Sequence, residues 1–137
     1  MRKEVGLWID HRRAAIVTLI DGEERIEQIE SNMEKHIRPA GGARSKSPYG
    51  PVDVMKEDAR ERKFKQHLKR YYEEVLDHIK GADALLLFGP AEAKHEFRRL
   101  LEEKSLDDRI SGFETVDKMT ERQIVAMVRH HFLKEVV

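Results

Sequence analysis

The chain of 137 residues contains no cysteine. Disulfide scaffolds, thiol nucleophiles and thiolate metal sites are excluded by that absence. Long apolar runs are missing too. None exceeds the five residues of Ala84 to Phe88, far short of the about 20 needed to cross a bilayer. Met1-Arg2-Lys3-Glu4-Val5 carries no signal-peptide core. These absences predict a soluble, cytoplasmic protein with no membrane partner. Neither sign of charge is in excess, since 26 Lys and Arg stand against 26 Asp and Glu. A uniformly basic nucleic-acid binder and an acidic disordered chain are therefore both ruled out. Proline is scarce, and three of the four, Pro39, Pro48 and Pro51, fall in one short stretch. No repeat of solenoid length is present.

What the chain does have is charge: 38% of residues are charged, against about 25% in an average soluble domain. Hydrophobic residues make up 39%, enough for a real core in a single domain spanning residues 1–137. Val5 to Ile9 is nearly all apolar and reads as a buried strand. Ala14 to Ile20 reads as its hairpin partner across Asp10-His11-Arg12-Arg13. Asp21-Gly22 signals a tight turn into a third strand that carries Ile26 and Ile29 and runs to about Ser31.

From about 32 to 52 the character changes. Lys35, Arg38, Arg44 and Lys46 stand with no acidic residue between Lys35 and Val52, a formal charge of +4 balanced by −4 elsewhere. With its prolines and glycines the segment reads as a long exposed loop, a length that in compact domains usually serves function or is disordered. A long helix is predicted from about Asp53 to Ile79, with Phe64, Leu68, Tyr71, Tyr72, Val75, Leu76 and Ile79 as its apolar stripe and Gly81 closing it. Ala84 to Phe88 reads as a buried strand, and Gly89-Pro90 as a turn that places proline at the first helical position. Phe97, Leu100 and Leu101 face inward on that helix, and a fifth strand spans about Arg109 to Thr115. Thr120-Glu121-Arg122-Gln123 is a capping box opening a last helix that carries Ile124, Met127, Val128 and Phe132. The order β-β-β-α-β-α-β-α predicts an α/β fold, a mixed five-stranded sheet with three helices in a ribonuclease H-like layout.

Such a layout raises a metal-dependent nuclease, which needs carboxylates that converge on two metal ions. Asp10 sits plausibly after the first strand and Glu57 or Asp58 on the helix, but the fourth strand ends Leu87-Phe88-Gly89-Pro90, and Asp83 lies at its opposite end. Asp10 reads more simply as a turn residue. The seven histidines form no metal signature, so neither a metal nor another cofactor is called for. Ser45 and Ser47 lack both a G-x-S-x-G setting and a base nearby in sequence. Gly89-Pro90-Ala91-Glu92 opens a helix, yet Glu92 fills the place an anion would take.

The basic loop remains. Lys35, Arg38, Arg44 and Lys46 suit phosphates, Gly41 and Gly42 let the backbone approach a partner, and His36 and Tyr49 suit stacking or hydrogen bonding. His11, Arg12 and Arg13 either extend the patch or merely form a turn. A third class, a protein-interaction module, rests on Tyr71-Tyr72, because a narrow stripe does not bury two adjacent rings. That leaves a homo-oligomer open.

The meander, then Lys35-His36-Ile37-Arg38-Pro39-Ala40-Gly41-Gly42-Ala43-Arg44-Ser45, then a long charged helix, resembles the middle domain of archaeo-eukaryotic peptide-chain release factors and of the ribosome-rescue factor Pelota. Leu86-Leu87-Phe88-Gly89-Pro90-Ala91-Glu92-Ala93-Lys94-His95-Glu96-Phe97 resembles that domain's strand-to-helix segment. The chain looks most like small bacterial release-factor-like proteins, components of the translational machinery that consist of this domain alone. The resemblance implies a ribonuclease H-like core and a loop aimed at ribosomal or transfer RNA. In release factors Gly-Gly-Gln promotes peptidyl-tRNA hydrolysis. Here Gly41 and Gly42 match the glycines, and Ala43 stands in the glutamine's place. The resemblance therefore implies a non-catalytic, ribosome-associated factor of termination or rescue, with a nuclease or peptidyl-tRNA-type ester hydrolase as the alternative.

Overall fold

A computed structural model of the chain describes residues 2–32 and 50–134, with side chains except those of 50–57. Five strands, β1 (Lys3–Ile9), β2 (Arg13–Ile20), β3 (Glu23–Glu30), β4 (Ala84–Gly89) and β5 (Ile110–Thr115), form one sheet in the order β3-β2-β1-β4-β5. The meander β1–β2–β3 is antiparallel, and β4 and β5 run parallel to β1. Helices α1 (Gly50–Ile79), α2 (Ala93–Glu103) and α3 (Glu121–Leu133) complete the order. This is the predicted mixed α/β sheet with three helices.

Strand periodicity explains the layers. Successive side chains alternate between faces, so Val5, Leu7 and Ile9 join α1 and α2 in one cluster while Trp8 joins α3 in the other. In β3 the three-residue spacing of Ile26 and Ile29 divides them between faces. Ile29 opposite Ala14 is buried, and Ile26 opposite Val17 is 38% exposed. β4, covered on both faces, is apolar at five positions in succession, as a central parallel strand should be. Asp21 and Gly22 both adopt positive φ, 54° and 82°, the geometry of a two-residue hairpin turn.

Several sequence expectations are corrected. The long helix begins at Gly50, not Asp53, so residues 50–52 belong to it rather than to the loop. Its end at Ile79 is as expected, but Gly81 lies in the following turn without a positive φ. Pro90 lies ahead of α2, whose cap is Glu92, because Pro90 through Glu92 form the bend out of β4. Arg109 closes a short 3-10 turn (Asp107–Arg109), and β5 starts one residue later. Phe64 lies 36% exposed, outside the core stripe that starts at Leu68. Tyr71 and Tyr72 are both buried, at 3% and 6% exposure. The groove between α1 and α2 takes Tyr72 while Tyr71 points to the β1–β2 turn, so the pair leaves no spare aromatic face. The capping box is present, with Gln123 N–H donating to Thr120 Oγ1 and Thr120 N–H to Gln123 Oε1.

Candidate nucleic-acid interface

Lys35, His36, Arg38, Gly41, Gly42, Arg44, Lys46 and Tyr49 lie outside the described residues. What is described is the frame from which that segment leaves and to which it returns. It leaves after Asn32, in the left-handed region at φ 56°, a conformation asparagine tolerates better than most residues. It returns into the first turn of α1.

A polar cluster ties this frame together. Asp10 closes the β1–β2 turn, its carboxylate accepting from the Arg12 and Arg13 N–H groups at 2.8 Å each. Tyr71 donates to the Asp10 carbonyl at 2.9 Å. Ser31 donates its hydroxyl to the His11 carbonyl at 2.6 Å, and His67 bonds to the Ser31 carbonyl. Glu96 is the hub, with one carboxylate oxygen 2.6 Å from the Tyr72 hydroxyl and 2.9 Å from His11 Nε2. The root of the basic segment is thus fixed to the hairpin turn and to both helices on that face. Burial raises the phenol pKa of Tyr71 and Tyr72 far above the ordinary value, with Asp10 adding to the shift at Tyr71 and the Glu96 hydrogen bond at Tyr72. Both act here as neutral donors.

Of the acids in the nuclease reading, the Glu57 side chain lies outside the described residues. Asp10 Oδ1 accepts both turn hydrogen bonds. Asp83 accepts from Lys3 N–H at 2.7 Å at the start of β1, the far end of the strand from Asp10. Among the described residues no three His, Asp or Glu side chains converge as a metal site. The Ser111 hydroxyl lies 2.9 Å from His131 Nε2. Among the described residues no carboxylate bonds to that histidine.

His11 and Arg13 are turn and packing residues. The Arg13 guanidinium lies 4.8 Å over the Trp8 ring and donates to the Met119 carbonyl. Arg12 and Lys118 are exposed beside it, in an open cleft of about 530 Å³ that Asp10 and Gln123 also line.

Sequence reasoning missed the cations of α1. Between Arg60 and Arg70 stand six Lys and Arg against the single acid Glu61. Residues 58–66 are all exposed, His67 is half-buried, and Leu68 is the first buried side chain. His67 meets Ser31 just past the end of β3, and the exposed stretch of helix before it, residues 58–66, forms an arm of α1. None of Arg60, Arg62, Lys63, Lys65, Lys69 and Arg70 has an ion-pair partner among the described residues. The signal was legible: the same count that singled out Lys35 to Lys46 applies to this stretch. Acids at Glu73, Glu74 and Asp77 mask it by making the whole helix look evenly charged in sequence.

No protein-family model and no curated protein matches the sequence. Solved structures do match its fold. The archaeal translation termination factor aRF1 superposes with a TM-score of 0.59 at 14% identity, covering 98% of this chain and 35% of that one. Thermoplasma acidophilum Pelota gives 0.56 at 9% identity, over 99% of this chain and 33% of its own. Archaeoglobus fulgidus Pelota gives 0.55 at 14% identity, over 97% and 32%. The chain therefore has a Pelota- and aRF1-like fold and spans about a third of the length of those proteins.

Proposed function

We propose that this chain is a single-domain factor that associates with the ribosome or another structured RNA in translation termination or rescue, without catalysis of its own. One observation carries the reading: on a fold similar to aRF1 and Pelota over nearly its whole length, the chain carries an acid-free +4 stretch, Lys35 to Tyr49, in the connection between β3 and α1. Lys35, Arg38, Arg44 and Lys46 contact RNA phosphates, contacts that give affinity without sequence choice. Gly41 and Gly42 let the backbone come close, and His36 and Tyr49 stack or hydrogen-bond. With Ala43 where release factors carry glutamine, the side chain that would serve hydrolysis is missing, which supports binding over peptide release. The Glu96 cluster adds support, because a loop rooted on two helices and a hairpin pays less ordering entropy on binding.

The test is co-sedimentation with ribosomes at several salt concentrations, using the wild type and a Lys35→Ala/Arg38→Ala/Arg44→Ala/Lys46→Ala variant. The expected result is weaker binding and a shallower dependence of log K on log salt in the variant. Wild-type protein that stays in the supernatant at every salt concentration overturns the reading.

A further inference from the structure

The structure assigns a second, separate contact to the arm of α1: Arg62, Lys65 and Lys69 form a cationic rail for the phosphate backbone of double-helical RNA. This rests on the RNA-binding reading above and deepens it, because the rail lies on rigid helix outside the loop. At 100° per residue these three positions fall within about 60° of one another, and at 1.5 Å per residue they span about 10 Å along the helix. All three are exposed, and none has an ion-pair partner among the described residues. Lys65 and Lys69 face Arg99 of α2 across an open groove of about 830 Å³. Two of the acids on that groove are already engaged, Glu96 by His11 and Tyr72 and Glu102 by Arg98, which leaves Glu103.

The chemistry selects the partner. Single-stranded RNA is held by aromatic platforms on which bases stack. The arm's only aromatic ring, Phe64, lies on another side of the helix, edge-on to His11 with centroids 6.1 Å apart. A membrane surface requires a broad apolar face opposite the cations, and residues 58–67 offer only Ala59 and Phe64. A straight row of cations on a helix with no apolar partner face fits a regular row of phosphates.

The experiment measures binding of a hairpin RNA with a fully paired stem by fluorescence anisotropy between 50 and 200 mM salt. Four proteins are compared: wild type, the rail variant Arg62→Gln/Lys65→Gln/Lys69→Gln, a control with the same charge removed from the other side of the helix (Arg60→Gln/Lys63→Gln/Arg70→Gln), and the loop variant. Three duplex phosphate contacts account for about a 40-fold fall in affinity across that salt range, so the rail variant loses about 2 to 3 units of salt slope. The control loses less. A single strand of the same composition binds wild type more weakly than the hairpin does. Equal losses in the rail and control variants, or a single strand bound as well as the hairpin, overturn the rail. If the loop variant is defective while the rail variant binds as wild type, the rail fails and the proposed function stands. If wild type binds neither RNA nor ribosomes, the function itself fails and takes the rail with it, leaving an acidic protein as the partner to seek.

Discussion

Helix α3 lies over β1 at a glycine, and that contact can be tested quantitatively. A Cβ placed on Gly6 would stand 2.1 Å from Val128 Cγ2, 2.8 Å from Cγ1 and 3.0 Å from Cβ. Carbon atoms pack at about 3.5–4.0 Å, so the alanine methyl invades the space of the whole isopropyl group, and turning the valine rotamer gives no relief. Both flanking strands, paired through Val17 and Leu86, prevent β1 from sinking. Overpacking of this kind costs about 1–3 kcal/mol, and Gly6→Ala belongs at the upper end. Val128→Ala removes two buried methyls worth about 1.6 kcal/mol in transfer, with a cavity cost on top. In the double variant the new methyl occupies part of the vacated space, with the two Cβ atoms needing only a few tenths of an ångström of adjustment. Its expected cost is about 2 kcal/mol, some 2–3 kcal/mol below the sum of the single variants. Urea unfolding of the four proteins, with equal slopes as the condition for comparison, measures this. Costs that add to within about 0.5 kcal/mol would refute the packing argument.

Three further predictions follow from the same geometry. Gly89→Ala sets a Cβ 2.2 Å from the Ile9 carbonyl oxygen, a backbone clash with no rotamer to escape through, and its melting transition should fall further than that of Gly6→Ala. Glu96→Ala leaves the buried Tyr72 hydroxyl unpaired and frees His11, an expected loss of about 2 kcal/mol, and adding Tyr72→Phe should cost nothing more because the bond is already gone. Tyr71 and Tyr72 have raised pKa values in the folded state, so the stability they contribute is complete below pH 10 and declines above it, by about 1.4 kcal/mol per pH unit for each ring that ionises only on unfolding. In a Tyr49→Phe background, phenolate absorbance should therefore appear only together with loss of the near-ultraviolet circular dichroism signal, and its appearance in still-folded protein would contradict the burial.

The fold was legible where local pattern and tertiary environment agree. Alternation in β1 and β2, the Asp21-Gly22 turn, the continuous apolar run of β4 and the Thr120 capping box each have a physical cause confined to a few residues. What could not be read from the sequence depends on neighbours. The burial of both Tyr71 and Tyr72 needs two separate acceptors, Asp10 and Glu96, which lie far away in the chain. The start of α1 at Gly50 overrides the loop-forming look of Tyr49-Gly50-Pro51, since proline in a first helical turn costs nothing. The knot around Glu96 joins residues from 10 to 96 and has no local signature. The arm differs: its composition was readable, and what the sequence lacked was the fact that Leu68, not Phe64, is where the core begins.

That fact separates the two kinds of charge in this neutral chain. Several of the acids have structural uses. Glu23, Glu24, Glu27 and Glu30 line the open edge of β3, where charge discourages pairing with another strand, and Glu24 meets Arg129 at 3.0 Å while Glu27 faces His78 at 3.7 Å. Among the described residues the arm cations have no ion-pair partner. Lys65 and Lys69 even stand as a like-charged pair at four-residue spacing, a repulsion that the Glu61 and Glu73 attractions outweigh by only about 0.2–0.5 kcal/mol. The rail variant should therefore unfold within about 0.5 kcal/mol of wild type, at low and at high salt, while losing its affinity for duplex RNA. A destabilisation above about 1 kcal/mol would mean that the cations hold the arm in place, and the division between acids that build the fold and cations that serve a partner would have to be abandoned.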